Sequence, residues 1–396
     1  MKLSIITPTH NPKYIKELES SILAQTYQDW EWVILLNNGA SYQATDPRIK
    51  VIKMPFKSDK IGEIKNYAFN QGTGEVLVEV DHDDLITPDC LEELANAFKA
   101  NPACGFAYSD NAKLGKFIPY NKIYGWTHRT VQYNGQDLYA MHSQPLTPGR
   151  LGFIWYAPDH VRAWRTEVYK ELGGHNKDLS VCDDQDLMCR TYLKTKFHFI
   201  PKVLYIYRIL DDKSNTWLKR NKEIQQKTVE LYDDYIYSLS ARFADLNNLK
   251  KIDLCGGHNK PEGYESIDKF NGDIIADLEK GIPLPDNSVG VIRAHDALEH
   301  IKNSIGLMQE IHRVLAPGGM LLSLTPSTDG RGAFQDPTHV SFWNQNSFWY
   351  YTRAEQSKYI NLNPLFTERR LKTYYPNEYC RINDIKYVKA DLEAMK

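Results

Sequence analysis

Apolar and polar positions fall into two successive blocks along the chain, each with an α/β rhythm. The mostly apolar run over 3–6, closed by Thr7-Pro8, predicts a buried strand. Apolar residues at helical spacing over 13–25 predict a helix, and 31–36 predicts a second strand ending at Asn37-Asn38-Gly39. This is a βαβ unit. A helix-compatible stretch over 61–70 follows, then a break at Gly72-Thr73-Gly74, then a strand over 76–80 that runs straight into Asp81-His82-Asp83-Asp84. The stretch 113–156 is poorly periodic and rich in Gly, Pro, Tyr and Trp, which predicts long loops and short strands over the sheet face. Over 216–246, Leu231, Tyr235, Leu239, Phe243 and Leu246 recur at helical spacing and predict a helical connector. A second strand series then begins at 251–254, followed by Cys255-Gly256-Gly257, and continues at 266–268, 290–292 and 320–324. The expected organisation is one domain over 1–215, a linker over 216–248 and a second domain over 249–396.

At 396 residues the chain is long enough for two cores. Its net charge of -2 gives no global field that would draw it to nucleic acid or an anionic membrane. Six cysteines occur without a CxxC pair or metal-ligand spacing, which fits reduced thiols in the cytoplasm. The opening apolar run is too short for a signal peptide, and no stretch of about 18 apolar residues occurs, so no transmembrane segment is expected. With 25 Tyr and 8 Trp, the chain carries enough rings either to stack on pyranose faces or to enrich its core.

Asp81, Asp83 and Asp84 place three carboxylates in four residues at a strand end, where open α/β sheets bind ligands. Hard oxygen donors suit Mg2+ or Mn2+, and such an ion can stabilise a departing diphosphate. An acidic cluster here also serves as a solvated turn. The stretches Ile5-Ile6-Thr7-Pro8-Thr9-His10-Asn11, Ser20 to Tyr27, Gly74-Glu75, Asp81-His82-Asp83 and Cys182-Asp183-Asp184-Gln185-Asp186-Leu187 resemble, in this order, family-2 glycosyltransferases of the GT-A fold. The resemblance covers about 1–215 and implies inverting transfer from a nucleotide sugar, with UDP as the default, to an oligosaccharide or polysaccharide acceptor. Carried over, Thr7 and Pro8 border the nucleoside, Asn38 lies near the base, and Lys65 faces the diphosphate. Asp81 contacts ribose or metal, Asp83 ligates the metal, and Asp184 is the general base. The family often places a histidine where Leu210 stands here, and His160 is the candidate replacement ligand. Asp183, Asp184 and Asp186 also suit the first turn of a helix for purely structural reasons.

In the second block, Leu254-Cys255-Gly256-Gly257-His258, Ile267-Asp268, Asp277, Leu298-Glu299-His300 and Pro317-Gly318-Gly319 together resemble a class I methyltransferase that uses S-adenosylmethionine. The resemblance places Gly256 and Gly257 against the methionine moiety, Asp268 on the ribose and Asp277 at the adenine edge. Methyl transfer to a sugar hydroxyl calls for a base; His295, His300 and His339 are candidates, with His339 in a loop after a strand the best positioned. Trp343, Phe348, Trp349 and Tyr350 form either a stacking wall or core. The expected whole is a bifunctional enzyme. Two alternatives keep the same folds: a glycosyltransferase with an inactive docking domain, or a nucleotide-sugar-binding module without turnover.

Overall fold

The run expected at 3–6 forms β1 (Leu3–Thr9), buried at every position except Pro8, which pairs in parallel with β2 (Trp30–Leu36) on one side and β4 (Val76–Glu79) on the other. A strand covered on both sheet faces has no solvent side to alternate with, which is why no charged residue interrupts it and why its polar residues Ser4, Thr7 and Thr9 are buried with the rest. The computed structural model describes residues 1–116, 126–153, 157–210 and 219–396. Beyond β2 lies β3 (Ile49–Lys53), also parallel. With β5 (Leu85–Ile86), β6 (Cys104–Leu114), β7 (His128–Tyr133), β8 (Gln136–Met141), β9 (Arg162–Arg165) and β10 (Lys196–Arg208) the sheet reaches ten strands. Its order is β3-β2-β1-β4-β9-β6-β10-β5, with the β7–β8 hairpin paired to β6. Strand order reverses at β1, so the crevice beyond the carboxyl ends of β1 and β4 is the ligand position of such a sheet.

The helices described between these strands are α1 (Ile15–Leu23), α2 (Ile61–Phe69), α3 (Cys90–Ala100), α4 (Pro148–Phe153), α5 (Thr166–Glu171) and α6 (Asp183–Lys194). The helix expected over 13–25 starts later because Pro12–Tyr14 forms a separate 3-10 turn, capped by the Asn11 side chain on the Lys13 amide. α1 then buries Ile15, Leu18 and Ile22, one stripe at helical spacing. The stretch 113–156 is more regular than its composition suggests. Asn134 and Gly135 both have positive φ, which makes the tight two-residue turn that joins β7 to β8. Residues 117–125 and 154–156 of that stretch lie outside the described residues, as do 211–218, which include the start of the expected linker.

The described chain divides into two compact units, Met1–Leu146 with Arg150–Asp234, and Thr147–Gly149 with Tyr235–Lys396. The division falls within the helix Asn221–Leu246, which occupies the stretch where apolar spacing predicts one. In the second unit, β11 (Lys250–Leu254), β12 (Glu265–Asp268), β13 (Ile274–Ile275), β14 (Val289–His295) and β15 (Leu315–Pro326) are parallel. β16 (Phe366–Tyr374) and β17 (Tyr387–Ala394) complete the sheet in the order β13-β12-β11-β14-β15-β17-β16, with β17 antiparallel to both neighbours. Strand order reverses at β11, so this sheet too has a switch-point crevice, beyond β11 and β14. Among the described residues no helix is long and apolar enough to cross a membrane. All six cysteines are free thiols.

Candidate functional site

At the switch point of the first sheet lies a cavity of about 500 Å3, lined among others by Pro8, Asn38, Lys65, Asp81, Asp83, Asp183, Asp184 and Leu210. Thr7 is not among the lining residues. It is fully buried, donating through Oγ1 to the Val80 carbonyl (2.8 Å) and accepting from Trp32 Nε1 (2.9 Å), so it braces β1 and cannot border a nucleoside as expected. Asn38, with φ +49°, presents the end of the β2 loop to the cavity.

The acidic run after β4 divides its labour. Asp84 is buried and accepts from Tyr205 Oη (2.9 Å) and the Arg208 amide (2.6 Å), so it ties this loop to β10. Asp81 and Asp83 are left facing the cavity. Burial raises the Asp83 carboxyl above its ordinary pKa. The ligand cluster that the fold gathers is Glu79, Asp81 and His160, each with a ligand atom within 4.8 Å of the others; the expected pair Asp83 and His160 is not brought together in it. The reason is topological. β9 lies next to β4, so His160, just before β9, meets Glu79 at the end of β4 and Asp81 just beyond it, and not Asp83 further along the loop. His160 Nε2 and Glu79 Oε2 are buried with no hydrogen-bond partner, and His160 Nε2 stands 3.8 Å from Asp81 Oδ2. A divalent cation fits that donor set, because it would satisfy both orphaned atoms.

Glu79 carried no signal as a functional residue, being one polar position in an apolar strand. It is the electrostatic centre of the site. Its carboxylate is 1% exposed, 2.5 Å from Lys65 Nζ and 3.7 Å from both His160 Nε2 and Arg162 Nη1. Burial pushes its pKa up, but the Lys65, His160 and Arg162 charges prevail and hold it well below the carboxylate range. Lys65 is therefore a buried ion-pair member that also lines the cavity, not a solvated helix residue.

Asp184 sits in the first turn of α6, where Oδ2 accepts from Arg162 Nη1 (2.8 Å) and Oδ1 from the Gln185 amide (2.9 Å). Burial raises its pKa; the Arg162 and Lys65 charges overcome this and lower it. Asp183 is the opposite case. Burial, opposed by Lys65 and reinforced by Asp184 and Glu79, pushes it up to about 7, beside a His175 ring that burial holds neutral with a pKa of about 3. A carboxylic acid that stays protonated in the fold but ionises at about pH 4 in the unfolded chain binds more protons folded, so its penalty grows as pH rises from about 4 to 7. Asp183→Asn is thus expected to raise the unfolding midpoint at pH 8 and to change it little at pH 4. Thermal melts at both values check this, and an equal shift at both would refute the titration as its cause.

In the second unit, Gly256 and Gly257 follow β11, and Asp268 ends the adjacent β12. Gly257 has φ +52°, and a Cβ there would meet Asn271 only at ordinary contact distance, while a Cβ on Gly256 would collide with buried Asp253. Asp268 Oδ1 accepts from the Phe270 and Asn271 amides, which fixes the carboxylate on its loop. The turn and the acid fit a ligand with a ribose. Asp277 caps the turn Leu278–Lys280 through the Glu279 amide and pairs with Lys269 at 3.2 Å. His339 donates from Nδ1 to the Ala333 carbonyl (2.9 Å) and meets the His300 ring edge-on at 5.1 Å. His295 is instead tied to Tyr237 Oη, 2.8 Å away. Of the four rings read as either a stacking wall or core, Trp343 and Phe348 are core, while Trp349 and Tyr350 are half-buried. The exposed rings of this region are Phe334 and Phe342, stacked on each other at 5.3 Å. Buried Glu299, unmarked beyond its motif, is the residue the sequence undervalued: burial lifts its pKa to about 8.

Residues 4–155 match the family model "Glycosyl transferase family 2", and residues 251–323 match that of a methyltransferase domain. Curated relatives include the O-antigen biosynthesis protein RfbC of Myxococcus xanthus, 24% identical over 202 residues, 48% of this chain and 14% of RfbC. Another is the glycosyltransferase GlyG of Streptococcus pneumoniae, 26% identical over 220 residues, 52% of this chain and 70% of GlyG. The chain spans 22% or less of the length of the first curated relatives it matches. A solved structure of S. aureus TarS with UDP aligns with a TM-score of 0.41 and 20% identity, covering 62% of this chain and 66% of that one. On its two family matches, the chain joins a domain of glycosyltransferase family 2 to a methyltransferase domain.

Proposed function

We propose that the first unit transfers a sugar from a nucleotide sugar, taken to be UDP-linked, to a hydroxyl of an oligosaccharide or polysaccharide, with inversion and with a divalent cation. The observation that carries this is the convergence of Lys65, Asp81, Asp83 and Asp184 on one cavity at the switch point. Pro8 and Asn38 would flank the nucleoside, and Asp81 with His160 and Glu79 would hold Mn2+ or Mg2+, with Asp83 facing the same space. The ion supplies charge neutralisation for the diphosphate as it leaves. The acceptor oxygen attacks the anomeric carbon, the bond from that carbon to the diphosphate oxygen breaks, and Asp184 takes the hydroxyl proton. As a weak base it accepts that proton late, once the attacking oxygen has become acidic.

The second unit, in this proposal, moves a methyl group from S-adenosylmethionine to a sugar hydroxyl, with Gly256, Gly257 and Asp268 holding the cofactor and His339 near the acceptor. The Phe334–Phe342 platform beside His339 favours a saccharide there. Two sites on one chain would raise the local concentration of a shared glycan. Calorimetry of UDP with Mn2+ and, separately, of S-adenosylmethionine on the full chain tests both halves. Asp83→Ala is expected to weaken only the first and Asp268→Ala only the second, each at least tenfold. Absence of S-adenosylmethionine binding would reduce the second unit to a docking domain, and absence of UDP binding would overturn the choice of base.

A further inference from the structure

Glu299 is 2% exposed, and neither carboxylate oxygen has a hydrogen-bond partner. An ionisable group so placed is expensive unless a counter-charge is bound to it. Two imidazoles converge on it. Glu299, His300 and His339 each offer a ligand atom within 4.8 Å of the other two, and the rings stand edge to face at 72°.

The surroundings prepare these groups as ligands. His339 Nδ1 lies 2.9 Å from the Ala333 carbonyl, which selects the tautomer with the proton on Nδ1 and the lone pair on Nε2. His300 Nδ1 lies 3.3 Å from the Thr338 carbonyl, the same kind of outer support. The Glu299 carbonyl accepts from the Val340 amide (2.8 Å) and the Ser341 amide (3.0 Å), clamping the loop after β14 to the loop that carries His339. Ligands from two segments about 40 positions apart are thereby held at one point, just past the carboxyl end of β14 at the switch-point side of the sheet.

We infer that Glu299, His300 and His339 bind a divalent first-row transition metal ion in the second unit, distinct from the cation proposed for the first. Two imidazoles and one carboxylate are the donor set of open zinc and non-haem iron sites, and bond lengths of about 2.0–2.2 Å require only small side-chain rotations to close the cluster. Three protein ligands leave positions free for oxygen donors. Beside a bound S-adenosylmethionine, the ion would orient and acidify an acceptor hydroxyl. That use rests on the proposed methyl transfer; the binding itself does not.

The test is titration of the full chain, stripped with chelator, with Co2+ in the absence of nucleotide. Visible absorption reports nitrogen and oxygen ligation, and bound cobalt is counted by elemental analysis. Glu299→Gln and His339→Ala are each expected to weaken this Co2+ site at least tenfold, whereas His160→Ala in the first unit leaves its absorption intact. Should Glu299→Gln fail to fold, as judged by circular dichroism, the partly exposed His300→Ala carries the same expectation. Unchanged Co2+ affinity in the folded variants, or cobalt bound only where His160→Ala removes it, would overturn the inference. A chain that binds Co2+ through these residues yet transfers no methyl group would refute the methyltransferase reading and leave the metal site standing.

Discussion

Asp184→Asn is expected to lower the turnover of sugar transfer by roughly 10²–10⁴-fold while leaving nucleotide affinity within a few-fold of the parent, the range of a lost general base. Both oxygens accept, from Arg162 at 2.8 Å and from the Gln185 amide at 2.9 Å, so an amide keeps the size, gives up one of these bonds where its NH2 faces a donor, and loses the proton acceptor. Its depressed pKa means it is ionised across the working range, and activity should not fall on its account until the medium is acidic. Asp183 offers the contrast. Its pKa of about 7 would make it the stronger base, but it is buried against His175 and protonated through much of that range. Asp183→Asn is accordingly expected to retain turnover within about tenfold. Initial rates with a radiolabelled nucleotide sugar for both variants separate the two residues; if Asp183→Asn is the inactive one, the base is Asp183 and the rate should rise with pH through 7.

How much of this was legible in the sequence follows from what each signal depends on. β1, β2 and β4 are buried on both faces, so their apolar runs stand out in isolation, and the acids after β4 stand out because they interrupt one. The order of those strands set the crevice, and with it Lys65, Asp81, Asp83 and Asp184. The hairpin at Asn134-Gly135 was readable, since that dipeptide is a strong turn signal, but the surrounding Gly, Tyr and Pro content masked it. What no local pattern holds is partnership across the sheet. The resemblance put Thr7 at the nucleoside; its engagement with Trp32 and Val80 depends on neighbours 25 and 73 positions away. Glu79 gains its role from Lys65 on α2 and from His160 and Arg162 around β9. Asp277 is the converse case, its contacts coming from two near neighbours in sequence, Lys269 and Glu279.

The same network sets the largest stability effect. Glu79→Gln is expected to destabilise the first unit by about 3–5 kcal/mol, the cost of leaving buried charge uncompensated. The amide keeps the volume of the side chain, so the loss is electrostatic and not a cavity. Lys65, 15% exposed in its side chain, and Arg162, 1% exposed, would both lose their shared counter-charge, and Arg162 would retain only Asp184 as a close ion-pair partner among the described residues. The pH dependence carries a matching sign. Glu79's folded pKa is depressed, so its stabilisation is fully present above its unfolded value of about 4.3 and drains away as pH falls toward the folded value. In Glu79→Gln that acid-side decline should be shallower than in the parent. Urea unfolding followed by a probe confined to the first unit, at pH 7 and at pH 3, measures both. Adding Lys65→Met to Glu79→Gln removes one of the stranded cations and should recover part of the loss, a coupling that a double-mutant cycle reports directly. If the single substitution costs under about 1 kcal/mol, Lys65 and Arg162 have found solvent or another acid, and Glu79 is a passenger in the site and not its electrostatic centre.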